Sequence, residues 1–583
     1  MLKLLLGGSG SGKTTLLYQR IRARAEAGEK SILLVPEQFT SSTEGRIHRE
    51  LGDALSGLVE SFSFTSLAEH ILSAEGGSAV QTLSDAGRAV LVRRALEELQ
   101  DNVHYYYRHR RSAAFCQMAA ETIDELKSAG LSGQQLYELA QDCGTDSAKL
   151  SELALIFQGY ETLLAGTGMD PSDRLELAAS RLEAALARGE LPEFLRDRAV
   201  FIDEFDTFNA PKKRLMGALM ASLPTVTVAL CDDGAPLVPG DMSLFSGAKQ
   251  VAAQLRQLAR RNGTAVAVPE LLRRDVRHAD APGLAAAAQL LATGRCDPLP
   301  ACPEIKLFAA PSREEEARAA AAAIRRLMRQ GVRCGKVAVV CRDISKYRAA
   351  VKYEFRMADI PLYCDEPTTP EFSAPATAVR CLLAIARGAE LTEQLTTLAK
   401  TGLCALTEEE VCALENYAYT WSPNAAAWRA PFEKNPRGFG DVEPTDEDRE
   451  NLARAEKARV LLITAADGLR AKLRSANAEQ MGRALYFCLK ELGAEDAQAA
   501  QVEAIRAERG IPAAEEAARE WNVVMGLLDE MASLLGGQSV TIPEYEELFG
   551  LLLRSSDLGH DPPDAGRRVL ASAGKMRLDA RTM

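Results

Sequence analysis

The chain has 583 residues, of which 47% are hydrophobic and 26% are charged, and its formal net charge is −12. This length allows several domains with sizeable cores, and the acidic balance argues against a generally basic nucleic-acid-binding protein, although it is compatible with a locally basic groove. The 12 cysteines are scattered without a CxxC pair and the six histidines form no HxH or HExxH pattern, which favours reduced thiols and no metal site. No apolar stretch is long enough for a membrane span or a secretory signal, so we expect a cytoplasmic protein without membrane contact.

The first motif is GGSGSGKTT, which lies between the apolar run LKLLL and the helical stretch LLYQRIRARAEAG. It matches the phosphate loop of nucleotide-binding proteins, and strand, loop and helix come in the required order. In such a loop the backbone N–H groups surround phosphates, the lysine contacts the β- and γ-phosphates and the threonine ligates Mg²⁺. The predicted nucleotide-binding residues are Gly7, Gly8, Ser9, Gly10, Ser11, Gly12, Lys13, Thr14 and Thr15, with Thr14 also a ligand of Mg²⁺.

A glycine-rich turn that matches the motif by chance is the alternative interpretation. Even if the motif is genuine, it leaves open a kinase, a transporter ATPase, a GTPase and a nucleic-acid motor.

Strand and helix patterns alternate after the loop. SILLVPEQFT is typical of a buried strand ended by Pro36, and it is followed by the helical TSSTEGRIHREL and a short apolar run, VESFSFTSLAEHIL. Apolar stripes with helical spacing fill residues 81–190, and strand patterns resume in RAVFIDEFDTF and TVTVALCDD. We therefore predict a first sheet domain from residues 1–80 and 191–300, interrupted by a helical insert at 81–190.

The second half of the chain repeats this organisation. IKLFAAP and KVAVVCRD are predicted strands, KYRAAVKYEFRMADIPLYC is a predicted helix and strand, and EEEARAAAAAIRRLMRQG is a predicted helix that Ser312 caps. Residues 301–375 are the first part of a second sheet domain, and residues 376–583 are a mainly helical insert. The predicted fold is α/β, with two parallel-sheet domains that each carry a helical insert.

The strand AVFI is followed by acidic residues suited to phosphoryl transfer. An NTPase of this kind needs a carboxylate at the end of a strand next to the loop strand to hold Mg²⁺, and often a second one to orient the attacking water. Asp203 is the predicted Mg²⁺ partner and Glu204 the predicted general base, with acids that merely cap a strand end as the alternative. Asp232 and Asp233 end the next predicted strand, but no glutamine stands there to sense a γ-phosphate.

Several segments together resemble the AddB family of bacterial ATP-dependent helicase/deoxyribonuclease subunits. They are GGSGSGKTT, LLVPEQFTSSTEGRI, VESFSFTSLAEHIL, FIDEFDTF and KVAVVCRDISKYRAAVKYEFRMADIPLYCDEP, with Pro375 downstream. The resemblance runs in order along essentially the whole chain. It implies a P-loop NTPase fold of the superfamily 1 helicase type, ATP as the nucleotide, a heterodimer with an AddA-type motor subunit, and resection of DNA double-strand breaks. It also implies that a helicase-like channel reads a recombination hotspot in the passing single strand.

Three features depart from the family pattern. AddB proteins continue into a nuclease with a four-cysteine iron–sulfur cluster, and this chain has neither a PD-(D/E)xK pattern nor a suitable cysteine group, so we expect an N-terminal portion and a cluster only in the missing C-terminal part. Many members have glycine where Glu204 stands, and the glutamate favours hydrolysis here. The six residues before the loop leave no room for the glutamine motif that reads adenine.

The resemblance also implies DNA contacts. In superfamily 1 proteins the segment after the second strand lies under single-stranded DNA, so Gln38, Thr40 and Ser41 are candidates for contacts with backbone phosphates. Phe62 or Phe64 is a candidate for contact with bases, and a place in the core is the favoured alternative for either ring.

Two further groups suit nucleic acid by composition. Tyr105, Tyr106 and Tyr107 alternate with basic residues at 108, 110 and 111, which suits stacking and phosphate contact; a solvated basic helix end with core tyrosines is an equal alternative. The cations Lys336, Arg342 and Lys346 near a predicted strand end allow the same two interpretations. Arg342 is also a candidate for contact with a γ-phosphate, with a surface ion pair as the alternative.

The leading hypothesis is a DNA-processing subunit that binds ATP and single-stranded DNA and reads sequence beside a true motor. The alternative is an active DNA-dependent ATPase that itself translocates. A phosphate-loop kinase of a small metabolite is a third hypothesis, and the long helical inserts argue against it.

Overall fold

The structure is a computed structural model that describes residues 1–76, 83–99, 101–109, 112–364, 369–438, 443–537, 539–556, 558 and 568–572. The molecule is mixed α/β, with a six-stranded parallel sheet, a three-stranded parallel sheet and many helices. The predicted α/β class with parallel sheets is therefore confirmed.

The larger sheet contains β1 (Leu2–Gly7), β2 (Ser31–Leu34), β3 (Val59–Phe62), β4 (Ala199–Ile202), β5 (Thr225–Cys231) and β6 (Glu270–Leu272). The strand order is β3-β2-β4-β5-β1-β6, and all neighbouring pairs are parallel. Both β2 and β4 are buried along their whole length, as expected for the apolar runs of a covered parallel sheet. Since all strands run in the same direction, their carboxyl ends meet at one edge of the sheet.

The helices of the first 300 residues are α1 (Lys13–Glu26), α2 (Thr40–Leu51), α3 (Asp53–Ser56), α4 (Phe64–Ala74), α5 (Asp85–Glu98), α6 (Ala113–Ala129), α7 (Gly133–Ala140), α8 (Ser147–Thr167), α9 (Pro171–Arg188), α10 (Ala210–Ser222), α11 (Ser246–Arg261) and α12 (Pro282–Thr293). Helices α4, α9, α10 and α11 contribute to a core with Leu4 and Leu6 of β1. Helices α1 and α2 contribute to a second core with Leu5. Because successive side chains of a strand point to opposite faces, the larger sheet is covered on both sides.

The helices of the second half are α13 (Arg313–Arg329), α14 (Ile344–Met357), α15 (Ala374–Arg387), α16 (Leu391–Lys400), α17 (Glu408–Trp421), α18 (Asp446–Leu473), α19 (Ala478–Glu491), α20 (Ala494–Arg509), α21 (Ile511–Leu535) and α22 (Ile542–Ser555). One hydrophobic core joins residues of α5, α6 and α8 to residues of α15–α19, α21 and α22. Polar contacts add to it, because Arg93 lies 3.3 Å from Glu544 and Ser84 Oγ donates a 2.5 Å hydrogen bond to Glu530. The two helical stretches, which are far apart in sequence, thus form one body.

The smaller sheet contains β7 (Ala338–Cys341), β8 (Leu362–Cys364) and β9 (Arg568–Ser572) in the order β7-β9-β8, with parallel pairs. Helices α13 and α14 form a small core with β7. The prediction of a strand at IKLFAAP is wrong: residues 304–310 form no strand, and Leu307 is fully exposed. Apolar residues with strand propensity form a strand only where a neighbouring strand accepts their hydrogen bonds, and no described strand lies beside them. Within the described ranges, no helix combines the length and apolar character needed to cross a membrane.

Candidate nucleotide site

The phosphate loop (residues 7–15) joins the end of β1 to the start of α1. Gly7 is the last residue of β1, Gly12 precedes the helix and Lys13 begins it. Gly10 and Gly12 have φ values of +80° and +88°, in the left-handed region that glycine adopts without steric strain. The first-turn N–H groups of α1 therefore follow directly on the loop, which is the arrangement that binds anions at a helix N-terminus.

Two glycines of the phosphate loop are packed too closely to carry a side chain. A Cβ atom added to Gly7 would lie 2.4 Å from Ser11 Oγ and 2.8 Å from the carbonyl oxygen of Leu272. A Cβ atom added to Gly10 would lie 2.7 Å from a carboxylate oxygen of Asp275. Any larger residue at these two positions would have to displace the surrounding chain.

Lys13 is the cation of the loop. Its Nζ donates hydrogen bonds of 2.8 Å to the carbonyl oxygens of Gly7 and Gly8. The side chain is thus folded back over the loop that precedes it, where its charge faces the space enclosed by the loop backbone.

The electrostatic surroundings of Lys13 join three strand ends. Burial lowers the pKa of Lys13; the Cys231 thiol at the end of β5 and the Asp203 carboxylate after β4 oppose this shift, and Arg277 after β6 adds to it. The predicted Asp203 is therefore brought close to the phosphate loop, with its side chain buried.

The expectation that Asp203 follows a direct neighbour of the loop strand is wrong. Strand β5 lies between β1 and β4, and Asp203 comes near the loop because parallel strands end at the same edge. The Asp203 N–H donates to the carbonyl oxygen of Leu34 at 3.1 Å, which continues the β2–β4 pairing by one residue. The next residue, Glu204, donates its N–H to Asp203 Oδ1 at 3.0 Å and has a φ of +68°.

Asp232 and Asp233 have structural roles in the turn after β5. Asp232 accepts the N–H of Gly234 at 2.7 Å and Asp233 accepts the N–H of Ala235 at 2.9 Å. Burial raises the pKa of Asp232. These contacts shape the turn and leave the sensor position as the sequence predicts it, without an amide side chain.

The structure adds a basic residue that the sequence reasoning missed. Residues 275–278, here called the clasp, follow β6 and lie on the phosphate loop. The N–H groups of Val276 and Arg277 donate to the carbonyl oxygen of Gly10 at 2.9 and 3.1 Å, and Arg277 Nη1 donates to Ser9 Oγ at 3.3 Å. The only signal in the sequence is the basic run RRDVRH, and nothing in that run identifies its partner at the other end of the domain.

The candidates for DNA contact lie near the start of α2 and of α4. Thr40 begins α2, and its Oγ1 donates to the carbonyl oxygen of Glu37 at 3.0 Å. The side chains of Gln38 and Ser41 lie outside the described residues. These three residues remain candidates on the resemblance alone.

Phe64 lies in the core and exposes only 2% of its surface, so it offers no ring face to a base in this structure. The physical reason is that α4 begins at this residue and packs it edge-on against Phe205 and Phe208, at centroid distances of 5.2 and 6.0 Å. Phe62 and Phe205 are half-buried. The exposed part of this aromatic group is therefore supplied by its neighbours.

The tyrosine segment is anchored by an acid. The N–H groups of His104, Tyr105 and Tyr106 donate to the carboxylate of Glu152, at distances between 2.8 and 3.2 Å. Tyr105 is 59% exposed, whereas Tyr106 packs against Phe115. Tyr107 is partly exposed, Arg108 is exposed, and Arg110 and Arg111 lie outside the described residues.

The three cations of the smaller sheet have ordinary surface surroundings. Lys346 forms an ion pair of 2.9 Å with Asp343, and hydrogen bonds from Ser345 and Lys346 lower the pKa of Asp343 to about 2. Arg342 and Lys336 are exposed.

Comparison with known proteins supports the resemblance drawn from the motifs. The family model described as "ADDB, N-terminal" matches residues 4–286. Over 99% of its length, the chain is 30% identical to the AddB-type subunit of the ATP-dependent helicase/deoxyribonuclease of Moorella thermoacetica, and 29% and 28% identical to those of Desulforudis audaxviator and Geobacillus kaustophilus. The chain spans about half the length of these relatives, 51% in each case. By these matches and by the motifs that they cover, the chain belongs to the AddB family.

Proposed function

We propose that the chain acts as the helicase-like subunit of a helicase/nuclease that resects DNA double-strand breaks, with a P-loop NTPase fold of the superfamily 1 type. In this role it binds ATP with Mg²⁺ and single-stranded DNA, and it reads a recombination hotspot beside an AddA-type motor subunit in the cytoplasm. The observation that carries the proposal is the surroundings of Lys13, which begins a helix after a glycine loop with Asp203 and Arg277 in electrostatic reach. The relatives, which are named as subunits of an ATP-dependent helicase/deoxyribonuclease, point the same way.

The residues of the loop fit a nucleoside triphosphate with Mg²⁺. Ser11 Oγ is buried and has no hydrogen-bond partner in the part of the chain that the structure describes, a condition that buried hydroxyl groups rarely keep without a ligand or water. Burial disfavours the charge of Lys13, and an anion beside it would offset that effect. Thr14 and Asp203 supply the hydroxyl and carboxylate oxygens that Mg²⁺ prefers.

Each residue has a distinct part in this proposal. Lys13 neutralises charge on the β- and γ-phosphates, and Thr14 and Asp203 hold Mg²⁺. Glu204 orients the attacking water and accepts its proton, and Arg277 stabilises charge on the γ-phosphate. Bound ATP supplies the phosphoryl group that water attacks.

The proposed path of single-stranded DNA runs over the start of α2 and the half-buried aromatic rings. Gln38, Thr40 and Ser41 contact backbone phosphates in this proposal. Phe205 takes over the base contact first assigned to Phe64, because its ring is partly accessible and Lys212 Nζ lies 5.8 Å from its centroid. A cation beside an aromatic ring suits a base that stacks next to a phosphate.

We place the AddA-type partner, DNA ends as substrate and the iron–sulfur cluster with the whole AddB protein, of which this chain spans about half. On this proposal the chain by itself binds DNA and nucleotide and cuts neither strand.

A second candidate function is that of an active DNA-dependent ATPase. Glu204, which supplies the carboxylate that hydrolysis needs, favours it. The two functions differ in ATP turnover, which is measured on the purified chain with Mg·ATP, with and without oligo-dT. The proposed function predicts feeble turnover that DNA does not raise. Robust turnover stimulated by DNA would favour the active motor.

A further inference from the structure

The clasp contains a histidine–carboxylate pair that the nucleotide site has not yet used. His278 Nδ1 lies 2.8 Å from Asp275 Oδ2, and the His278 N–H donates to Asp275 Oδ1 at 3.1 Å. Both side chains are largely buried, with 15% of His278 and 32% of Asp275 exposed. The carboxylate is therefore held at both of its oxygens by one residue.

This pair closes the turn that carries Arg277. Asp275 and His278 lie on either side of Val276 and Arg277, whose N–H groups both donate to the carbonyl oxygen of Gly10. The turn is thus fixed to the phosphate loop by its backbone and closed on itself by the His278–Asp275 contact.

The pair also decides where the nearest negative charge goes. Asp275 is only two residues from Arg277, and a free carboxylate at that distance would pair with the guanidinium and neutralise it. The hydrogen bonds from His278 hold the Asp275 carboxylate on the other side of the turn. Arg277 instead donates to Ser9 of the loop and acts electrostatically on Lys13.

Two cations beside one loop distinguish ligands by charge. ATP carries more negative charge than ADP, so a cation in addition to Lys13 favours the triphosphate more than the diphosphate. We propose that His278 is a positioning residue that, through Asp275, holds Arg277 at the phosphate loop and so gives the chain its preference for ATP over ADP. This inference rests on the proposed nucleotide function.

The test measures the ratio of two dissociation constants, that of ADP and that of a non-hydrolysable ATP analogue, both with Mg²⁺. For His278→Ala this ratio is expected to fall at least about fivefold, the lower end of ordinary coupling effects. His278→Asn, whose amide can donate from nearly the position of Nδ1, is expected to keep the parent ratio. His48→Ala is the matched control, because His48 lies 3.6 Å from Asp53 in an exposed pair of the same sheet domain.

A double-mutant cycle separates positioning from general damage. If His278 acts through Asp275, then Asp275→Ala and the double variant lower the ratio as much as His278→Ala alone. If His278→Ala fails to fold, His278→Gln, whose donor is displaced by one bond, takes its place in the comparison with His278→Asn.

The outcomes distinguish this inference from the proposed function. An unchanged ratio in His278→Ala, together with a ratio that Arg277→Ala abolishes, overturns the positioning role and leaves the nucleotide site in place. Equal loss in His278→Ala and His278→Asn also overturns it. A parent chain that binds neither nucleotide overturns the proposed function and the inference with it.

Discussion

At Glu204 the backbone has a φ of +68°, which an L residue adopts only with strain because its Cβ crowds the backbone. Glycine adopts this conformation freely, and glycine is the residue that the family resemblance leads us to expect here. A strained residue that follows the buried Asp203 and carries a carboxylate is typical of a functional site. The glutamate thus trades stability for a group that hydrolysis needs.

We predict that Glu204→Gly is more stable than Glu204→Ala by about 1 kcal/mol, because both lose the carboxylate and only alanine keeps the strain. The free energy of unfolding in urea measures this difference. Asp197, with a φ of +56°, offers a matched pair of variants far from the proposed chemistry. Equal stability of the glycine and alanine variants at position 204 would show that the backbone is unstrained there.

Among the elements, the helices of residues 113–188 are joined by a buried charge cluster. Lys127 Nζ of α6 lies 2.8 Å from both Asp170 and Asp173, and Tyr160 of α8 donates a 2.6 Å hydrogen bond to Asp170. Burial alone would lower the pKa of Lys127, but the two carboxylates outweigh it and the pKa is raised. The stabilisation is therefore fully present below the ordinary lysine pKa and is lost as pH rises through the raised one.

Lys127→Met should lower the free energy of unfolding by about 3–5 kcal/mol, because it leaves the buried Asp170 without a counter-ion. Chemical denaturation at neutral pH measures this loss, and Lys149→Met, which changes an exposed lysine of α8, is the control. A loss no greater than that of the control would mean that the cluster contributes nothing to the packing of α6.

The same scale shows what the sequence can predict. The long apolar runs of β1 and β5 and the glycine loop are recognisable in the sequence, because burial on both faces and the left-handed turns each require particular residue types. Strand β6 has three residues and exists only through its pairing with β1, and the reverse holds for IKLFAAP, which has strand residues and no partner among the described strands. Arg277 contacts Ser9 across 268 positions, a distance over which no local pattern carries information.

At the scale of the whole molecule, a net charge of −12 has to be reconciled with binding a polyanion. The shared helical core joins the two halves of the chain into one body, so that a local cluster of cations is held at fixed positions within an acidic protein. The proposed DNA path carries Lys212 beside two aromatic rings. Binding would thus depend on a few cations in a field that is otherwise repulsive.

We predict that affinity for oligo-dT falls as salt rises, with a log–log slope of about −0.7 for each phosphate contact. Fluorescence anisotropy between 50 and 200 mM salt, roughly the range over which such losses are large, measures the slope. A closed circular duplex is the control and should bind more weakly. Binding that ignores salt, or that prefers duplex without ends, would contradict a single-strand path.

The most direct test of the account is ATP binding by Lys13→Ala, because Lys13 is the one side-chain cation within the phosphate loop. Equilibrium binding of ATP with Mg²⁺ is measured for the parent chain, for Lys13→Ala and for Lys30→Ala, which removes an exposed lysine just beyond α1. The account predicts that Lys13→Ala weakens binding at least about tenfold, as expected for the loss of a charged contact to phosphate, while Lys30→Ala binds like the parent. Equal affinity of Lys13→Ala and the parent would contradict the assignment of residues 7–15 as a nucleotide site.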